Sequence, residues 1–513
     1  MATAVVLIVV MLFDTPSVNT PSRHSSQRSI GEELASLSYS LAPLMWEHRI
    51  RLEYGETAGG SCIIADATKN PTNAYKVRGA LASAAAAKAS GKRSICTASA
   101  GNHGAGLAYA AQLLGIRATI YVPENAPAVK LNAIESFGAS IIRAGGSFDE
   151  CLAIARSRLT SEGAGSVFIH PFDEDLVVAG QGTIGLELLE HLEKVASARD
   201  IDRVRVFLPI GGGGLASGVA STLKSFWPRN LAQPEIVGVI DESSPASLIG
   251  TYFGRPVRAI PDTIADGTRV ALVGNTFIAL ASLVDKILLV PHDAIVDTMR
   301  RYHAQTGAML EPSGALALAG DDFTRRMKLY NHSRDTLSFA LISGRNIDPA
   351  VFQATVSEHA RLNLSAKARI AYDVVIPEEA GLLKVFLRSV REFNIAGLTY
   401  KQQPNSLTGT LRVEFEVKHS QISELDNRII SRFPGSKLLS GGRHALFTIG
   451  MPVANEYQDE LVTLKDYPGS FLCFIENLER CSSLGSVGFL FYRKPALKGS
   501  NAQVIIGRSK LGK

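Results

Sequence analysis

Between residues 61 and 343, short apolar runs alternate with longer stretches whose apolar residues recur at helical spacing. Residues 118–122 form one such run, followed by a helical pattern over 129–137 and a second short run at 141–144. Residues 203–210, 235–240 and 337–342 are further runs, each closed by glycine, acidic or serine residues. A nearly continuous apolar run suits a strand buried on both faces, and strands alternating with helices predict βαβ units and a mostly parallel sheet. Ligands of such sheets lie beyond the carboxyl ends of the strands. The residues that close these runs are therefore the first place to look for chemistry.

Beyond Asp348 the pattern changes, and the tail resembles itself. Residues 374–387 (VVIPEEAGLLKVFL) and 462–475 (VTLKDYPGSFLCFI) both read as a strand, an acidic turn, a glycine and an amphipathic helix. Gly381 and Gly469 are offset by 88 residues, and Leu383, Phe386, Leu387 and Val390 correspond to Phe471, Phe474, Ile475 and Leu478 at helical spacing. Second strands follow, ending in Tyr400 and Tyr492. Helix packing accounts for either copy alone but not for the duplication. Only 44 residues follow Gly469, which leaves the second copy little room for a last helix and strand.

Composition narrows the class. The 513 residues are 46% hydrophobic and 20% charged, which excludes a disordered or collagen-like chain and predicts about three domains. A net charge of +5 without a dense Lys/Arg block gives nucleic-acid binding no support. Cys62, Cys96, Cys151, Cys473 and Cys481 have neither metal-ligand nor CxxC spacing and read as reduced thiols. The apolar run at residues 4–13 is half the length a bilayer needs and has no Lys or Arg before it, so it reads as a buried strand rather than a membrane or signal segment. Residues 15–28, rich in Ser, Thr and Pro and free of acids, read as a disordered extension with a faint transit-peptide character.

Three segments carry candidate chemistry. In PTNAYKVRGA (71–80), Lys76 stands among small and apolar neighbours at the entrance to an Ala-rich helix. Desolvation there lowers an amine's pKa and favours Schiff-base chemistry, although a solvated helix-entry lysine fits the same residues. In TASAGNHGAG (97–106), glycines allow close approach to a planar ligand and Asn102 offers an amide donor, while His103 reads equally as a hydrogen-bonded structural histidine. Gly211, Gly212, Gly213 and Gly214, followed by Leu215, lie between a strand and a helix, where backbone amides cradle phosphate. Gly211, Gly213 and Ala216 also satisfy GxGxxA, but the acidic partner expected about 20 positions on is instead Asp241, thirty residues away.

Together these segments resemble the biosynthetic threonine dehydratases, pyridoxal-phosphate enzymes of the tryptophan-synthase β fold (fold type II). The resemblance runs from about Ser36 to the C-terminus. It rests on NAYKVRGA, TASAGNHG, HPFDE and AGQGT (170–174 and 179–183), PIGGGGLASG, TIADG (263–267), EPSGALALAG (311–320) and ISGRN (342–346). It implies a two-lobed α/β enzyme with a parallel sheet, using pyridoxal 5'-phosphate. It further implies that Lys76 joins the cofactor as a Schiff base, that Asn102 bonds its phenolate oxygen, that Gly211 to Leu215 hold its phosphate, and that Ser343 bonds the pyridine nitrogen. The tail resembles paired ACT-like regulatory modules, ferredoxin-like α+β units that bind amino-acid effectors such as isoleucine or valine.

The chain departs from the family at some positions. The strand before the lysine carries ADAT (65–68) where the family usually has a Lys-x-Glu cluster, and Ala42, Pro43 and Leu44 replace its Thr-Pro-Leu. Ile240 occupies the position of a glutamate that contributes to a divalent-metal site in related racemases, so no metal site is expected. Those racemases also carry an opposite-face serine where this chain has Ala100, which disfavours racemisation.

The resulting organisation is an N-terminal extension (1–35), a catalytic domain (36–350), a linker (351–367), a first ACT-like domain (368–452) and a partial second one (453–513). The activity implied is deamination of L-threonine to 2-oxobutanoate and ammonia by a cytoplasmic homo-oligomer acting on threonine or serine, with neither nucleic acid nor membrane as partner. Organellar targeting by the extension is left open. Another lyase of the same fold acting on serine, or a catalytically impaired amino-acid sensor, are the alternatives.

Overall fold

The computed structural model describes residues 10–12, 30–57, 60, 62–126, 128–162, 165–196, 201–229, 231–241, 244, 263–268, 274–326, 336–362, 367–377, 382–402, 408–418, 421–433, 436–438, 457–464, 487–493 and 502–509. They form three sheets. The largest runs, in spatial order, through Val10–Leu12, Lys286–Val290, Glu235–Asp241, Arg203–Pro209, Thr336–Ile342, Ile63–Asp66 and Glu53–Glu56. Its five central strands are parallel, and only the two edge strands are antiparallel.

Side-chain alternation explains why these strands read as unbroken apolar runs. Ile236, Ile240, Ile287 and Leu289 enter one core, while Val237, Val239, Leu288 and Val290 enter the core on the opposite face. Both faces are covered, as a parallel sheet requires. The chain leaves this lobe after Asp66 to build a second, four-stranded parallel sheet ordered Ser140–Arg143, Arg117–Val122, Ser94–Ala98 and Ser166–Phe168. It then returns through the long helix Asp175–Ala196. That helix crosses the helix Val77–Ala89 where two glycines touch: a Cβ on Gly180 would lie 2.6 Å from the Gly79 Cα.

The third sheet is antiparallel and belongs to the tail. Its order is Lys437–Leu438, Lys367–Pro377, Thr408–Lys418, Asn394–Gln402, Val487–Arg493, Ala502–Ser509 and Tyr457–Leu464. The first four strands have the order fourth, first, third, second, which is that of a ferredoxin-like unit. Phe386, Leu387 and Val390 of the first copy are buried, with Phe386 edge-on to Phe433 at 5.4 Å. The two copies meet through their second strands, where Thr399 faces Phe491. These two residues immediately precede Tyr400 and Tyr492, so equivalent positions pair about a local two-fold. The turn residues 378–381, Gly469, the second copy's helix and both tail cysteines lie outside the described residues.

Two boundaries differ from the sequence reading. The first helix is Ile30–Glu47, beginning inside the segment read as an extension, because Gly31, Leu34 and Ala35 are buried. Residues 351–367, read as a linker, are largely the helix Pro349–Leu362, whose Phe352 is fully buried and packs against His303 at 5.0 Å. Phe352 is buried and Val356 packs beside it on the same core, but the exposed Val351 breaks the helical periodicity. Val10–Leu12, within the apolar N-terminal run, pairs with Lys286–Leu288 at the sheet edge, and the segment 15–28 lies outside the described residues. No helix among the described residues is long and apolar enough to cross a membrane.

Candidate active site

The site forms at the carboxyl ends of two neighbouring central strands. Arg203–Pro209 and Thr336–Ile342 run parallel with Ala340 opposite Phe207, so the glycine loop beginning at Gly211 and the loop beginning at Ser343 emerge side by side. The loop carrying Lys76 is sewn to the second of these. Tyr75 N–H donates to Ser343 O at 3.1 Å, Ala74 bridges Gly344, and Arg345 N–H donates to Asn73 O at 3.0 Å.

Lys76 caps the helix Val77–Ala89. Its Nζ donates to Pro171 O at 3.1 Å, and desolvation lowers its pKa to about 8 against an upward pull from Glu311. An amine in that range is both a nucleophile and a base near neutral pH. The next residue, Phe172, connects this lysine to the glycine loop. A Cβ on Gly212 would strike the Phe172 ring at 2.5 Å, and one on Gly214 would lie 2.7 Å from Phe172 O. Gly213 has φ +83°, a left-handed conformation that turns the strand into the helix Gly214–Phe226. No side chain caps that helix, leaving its first turn disposed toward an anion.

Asn102 begins the helix Asn102–Leu114 in the smaller lobe and reaches across to the larger one. Its Nδ2 donates to Glu311 Oε1 at 2.7 Å and its Oδ1 accepts from Asn346 Nδ2 at 2.8 Å. Glu311 is packed so tightly against the following loop that a Cβ on Gly344 would overlap its Oε1. Burial raises the Glu311 carboxyl to about 7, opposed by the Asn102 hydrogen bond. Ser343 is buried, and its Oγ donates to Ser313 O at 3.2 Å. Lys130 and Asp266 form a second inter-lobe link, an exposed ion pair at 2.9 Å.

Lys76, Asn102 and Ser343 thus line one cleft with the glycine loop at its side. Three participants were missed by the sequence reading. Glu311, Asn346 and the Pro171 carbonyl lay inside EPSG, SGRN and HPFDE without an assigned role. The isolated acid preceding Pro-Ser-Gly was the available signal for Glu311. His103 is 1% exposed and lies against the Ile169 backbone, as a buried structural histidine would. Burial and the charge of Lys76 hold its pKa well below the usual histidine range.

A lysine of lowered pKa, an uncapped helix behind a glycine loop and an amide donor are the groups that a phosphorylated aldehyde would need. Comparison with known proteins carries this further. Residues 43–335 match the family described as pyridoxal-phosphate dependent enzyme. The biosynthetic L-threonine dehydratase IlvA of Pasteurella multocida is 30% identical over 434 residues, spanning 82% of this chain and 80% of that protein. Among solved structures, the processed form of threonine deaminase isoform 2 from Solanum lycopersicum is 28% identical with a TM-score of 0.56, covering 71% of this chain and 98% of that one. The serine racemase of Dictyostelium discoideum is 26% identical with a TM-score of 0.52, covering 61% of this chain and 98% of that one. The chain belongs to the pyridoxal-phosphate dependent enzymes, among relatives named as biosynthetic threonine dehydratases.

Proposed function

We propose that this chain is a pyridoxal-phosphate-dependent ammonia-lyase that converts L-threonine to 2-oxobutanoate and ammonia, the step that opens isoleucine biosynthesis. The observation that carries the site assignment is the convergence of Lys76, Asn102, Ser343 and the glycine loop on one cleft. The residues fit the cofactor: Gly213 turns the strand into an uncapped helix suited to its phosphate, and Lys76 lies one residue's width away through Pro171 and Phe172. When bound, pyridoxal phosphate supplies the electron sink that stabilises negative charge at the substrate Cα.

Lys76 would hold the cofactor through its amine and, as a neutral amine, would take the proton from the substrate Cα. Its lowered pKa leaves part of the amine neutral near pH 7. Amides at Gly211 to Leu215 would hold the phosphate, and Asn102 would donate to the ring's phenolate oxygen. Ser343 would meet the ring nitrogen with a hydroxyl rather than a carboxylate, a contact that would favour elimination over transamination. The released enamine takes up water and yields ammonia and the 2-oxo acid.

Serine racemisation is the alternative raised by the racemase neighbour. Ala100, immediately before Gly101 and Asn102, offers no proton on the opposite face and favours the lyase. Purified protein with pyridoxal phosphate is expected to form 2-oxobutanoate and ammonia in equal amounts from L-threonine. L-Serine is expected to be a poorer substrate by roughly 10- to 200-fold at most, the discrimination one methyl group provides. D-Allothreonine as the product, which inversion at Cα would give, or no 2-oxo acid, would overturn this reading.

The reading extends to control and assembly. The tail acts as an ACT-like pair through which isoleucine or valine inhibits a cytoplasmic homo-oligomer, supported by the ferredoxin-like strand order and the local two-fold at Thr399 and Phe491. Inhibition by isoleucine should be lost in a chain ending at Leu362, a cut that preserves the buried Phe352. Equal sensitivity in both chains would place control in the catalytic domain.

A further inference from the structure

Asn346 makes two hydrogen bonds through one nitrogen. Its Nδ2 donates to Asn102 Oδ1 and to the main-chain carbonyl of Thr72, each at 2.8 Å. These contacts join three segments distant in sequence: the loop leading to Lys76, the start of the helix Asn102–Leu114, and the loop after Ser343. An amide side chain can in principle present either its oxygen or its nitrogen to a neighbour, and two facing amides leave that choice open. The Thr72 carbonyl removes it, because a carbonyl can only accept. Asn346 must therefore turn its nitrogen toward Thr72, and the same nitrogen faces Asn102. Asn102 must answer with its oxygen, which sends its own N–H donors the other way, toward Glu311 and the cleft.

We propose that Asn346 is a positioning residue that sets the polarity of the Asn102 amide, so that a donor rather than a carbonyl faces the cofactor's ring oxygen. The reference for this polarity is the Thr72 main chain, four residues before Lys76, so the loop that places the amine also orients the amide. The inference rests on the reading above, in which Asn102 faces that oxygen. Glu311 assists from the far end as an acceptor, but its carboxyl can hold a proton and donate. Only the Thr72 carbonyl is a reference that does not change with pH.

The test is titration of cofactor-free protein with pyridoxal phosphate, followed by the absorbance of the bound cofactor and by protein fluorescence. Asn346→Asp keeps the side-chain shape but supplies only acceptors, so Asn102 reverses and turns its oxygen to the cofactor. Losing a hydrogen bond to a charged acceptor should weaken cofactor binding about 10- to 100-fold and shift the visible band. Asn346→Ala leaves Asn102 free to turn, with Glu311 still favouring the correct orientation, and should lose less. A purely structural role predicts the opposite rank, since alanine removes both bonds and most of the side chain. Melting temperatures of the cofactor-free variants report that structural component separately.

In an Asn102→Ala background, Asn346→Asp should weaken binding no further. Should Asn346→Asp fail to fold, Asn346→Ala carries the test, and its loss must likewise vanish in that background. An effect of alanine equal to or larger than that of aspartate, or a loss that persists in full without Asn102, would overturn the proposal. Asn102→Ala that binds and colours like the unaltered protein would instead overturn the assignment of Asn102 itself. Weakening by Asn102→Ala without weakening by Asn346→Asp would remove only the role of Asn346.

Discussion

Lys76 and Arg78 stand two residues apart at the start of one helix, and the protein treats their charges in opposite ways. Arg78, 1% exposed, donates from Nη1 to Glu187 Oε1 at 2.7 Å and to Thr183 Oγ1 at 2.9 Å. Glu187 in turn accepts from Leu52 N–H at 2.7 Å and pairs with Arg51 at 3.2 Å. Among the described residues, Lys76 has only the Pro171 carbonyl within hydrogen-bond reach, with Glu311 acting on it from further away. A buried cation with a carboxylate partner stays fixed and charged, whereas one whose partner is a neutral carbonyl is inclined to give up its proton. Two positions of a single turn thus separate structural charge from reactive amine.

The sharpest break in that comparison is Lys76→Ala. Turnover should fall by about 1,000-fold or more, the scale expected when a general base is removed, while the cofactor-free protein unfolds at an unchanged or slightly higher temperature. Glu187→Ala should do the reverse. Leaving Arg78 buried without its partner costs about 3–5 kcal/mol, readable as a lower denaturant midpoint of the catalytic domain, with cofactor affinity changed far less. Replacing both members, Arg78→Met with Glu187→Leu, should recover much of that loss, because an apolar pair needs no desolvation.

Smaller effects follow from the titrating groups. Neutral Lys76 is the form that captures an aldehyde, so cofactor uptake should accelerate with pH and level off above about 8. Glu311 is raised from 4.5 to about 7, so between those values the folded chain holds a proton that the unfolded chain has lost. Its contribution to stability is present below about 4.5 and declines as pH rises through about 7. Glu311→Gln should flatten that decline in the cofactor-free protein, measured as denaturant midpoint against pH.

The sequence disclosed those features whose signal is local. Lys76, Asn102, the glycine loop and Ser343 each sit in a short motif with its own chemical logic, and the strands could be read because both faces are buried. Glu311 and Asn346 were opaque as to role because their partner, Asn102, lies 209 and 244 residues away. The Arg78 ion pair was hidden for the same reason, spanning 109 residues to Glu187. The helix Pro349–Leu362 escaped notice because, among its described side chains, the exposed Val351 obscures the spacing of Phe352 and Val356. The tail's duplication was visible as a repeat, but the pairing of its copies through Thr399 and Phe491 depends on strand register, which the repeat does not specify.

The central claim is that Lys76 is the amine that carries pyridoxal phosphate in an enzyme that deaminates threonine. Borohydride reduction of the cofactor-loaded protein, followed by digestion and mass mapping, tests it directly. The account predicts one stoichiometric phosphopyridoxyl label, on the peptide containing Lys76, with loss of 2-oxobutanoate formation in step with labelling. A stoichiometric label on another lysine, with Lys76 unmodified and threonine turnover lost all the same, would contradict it.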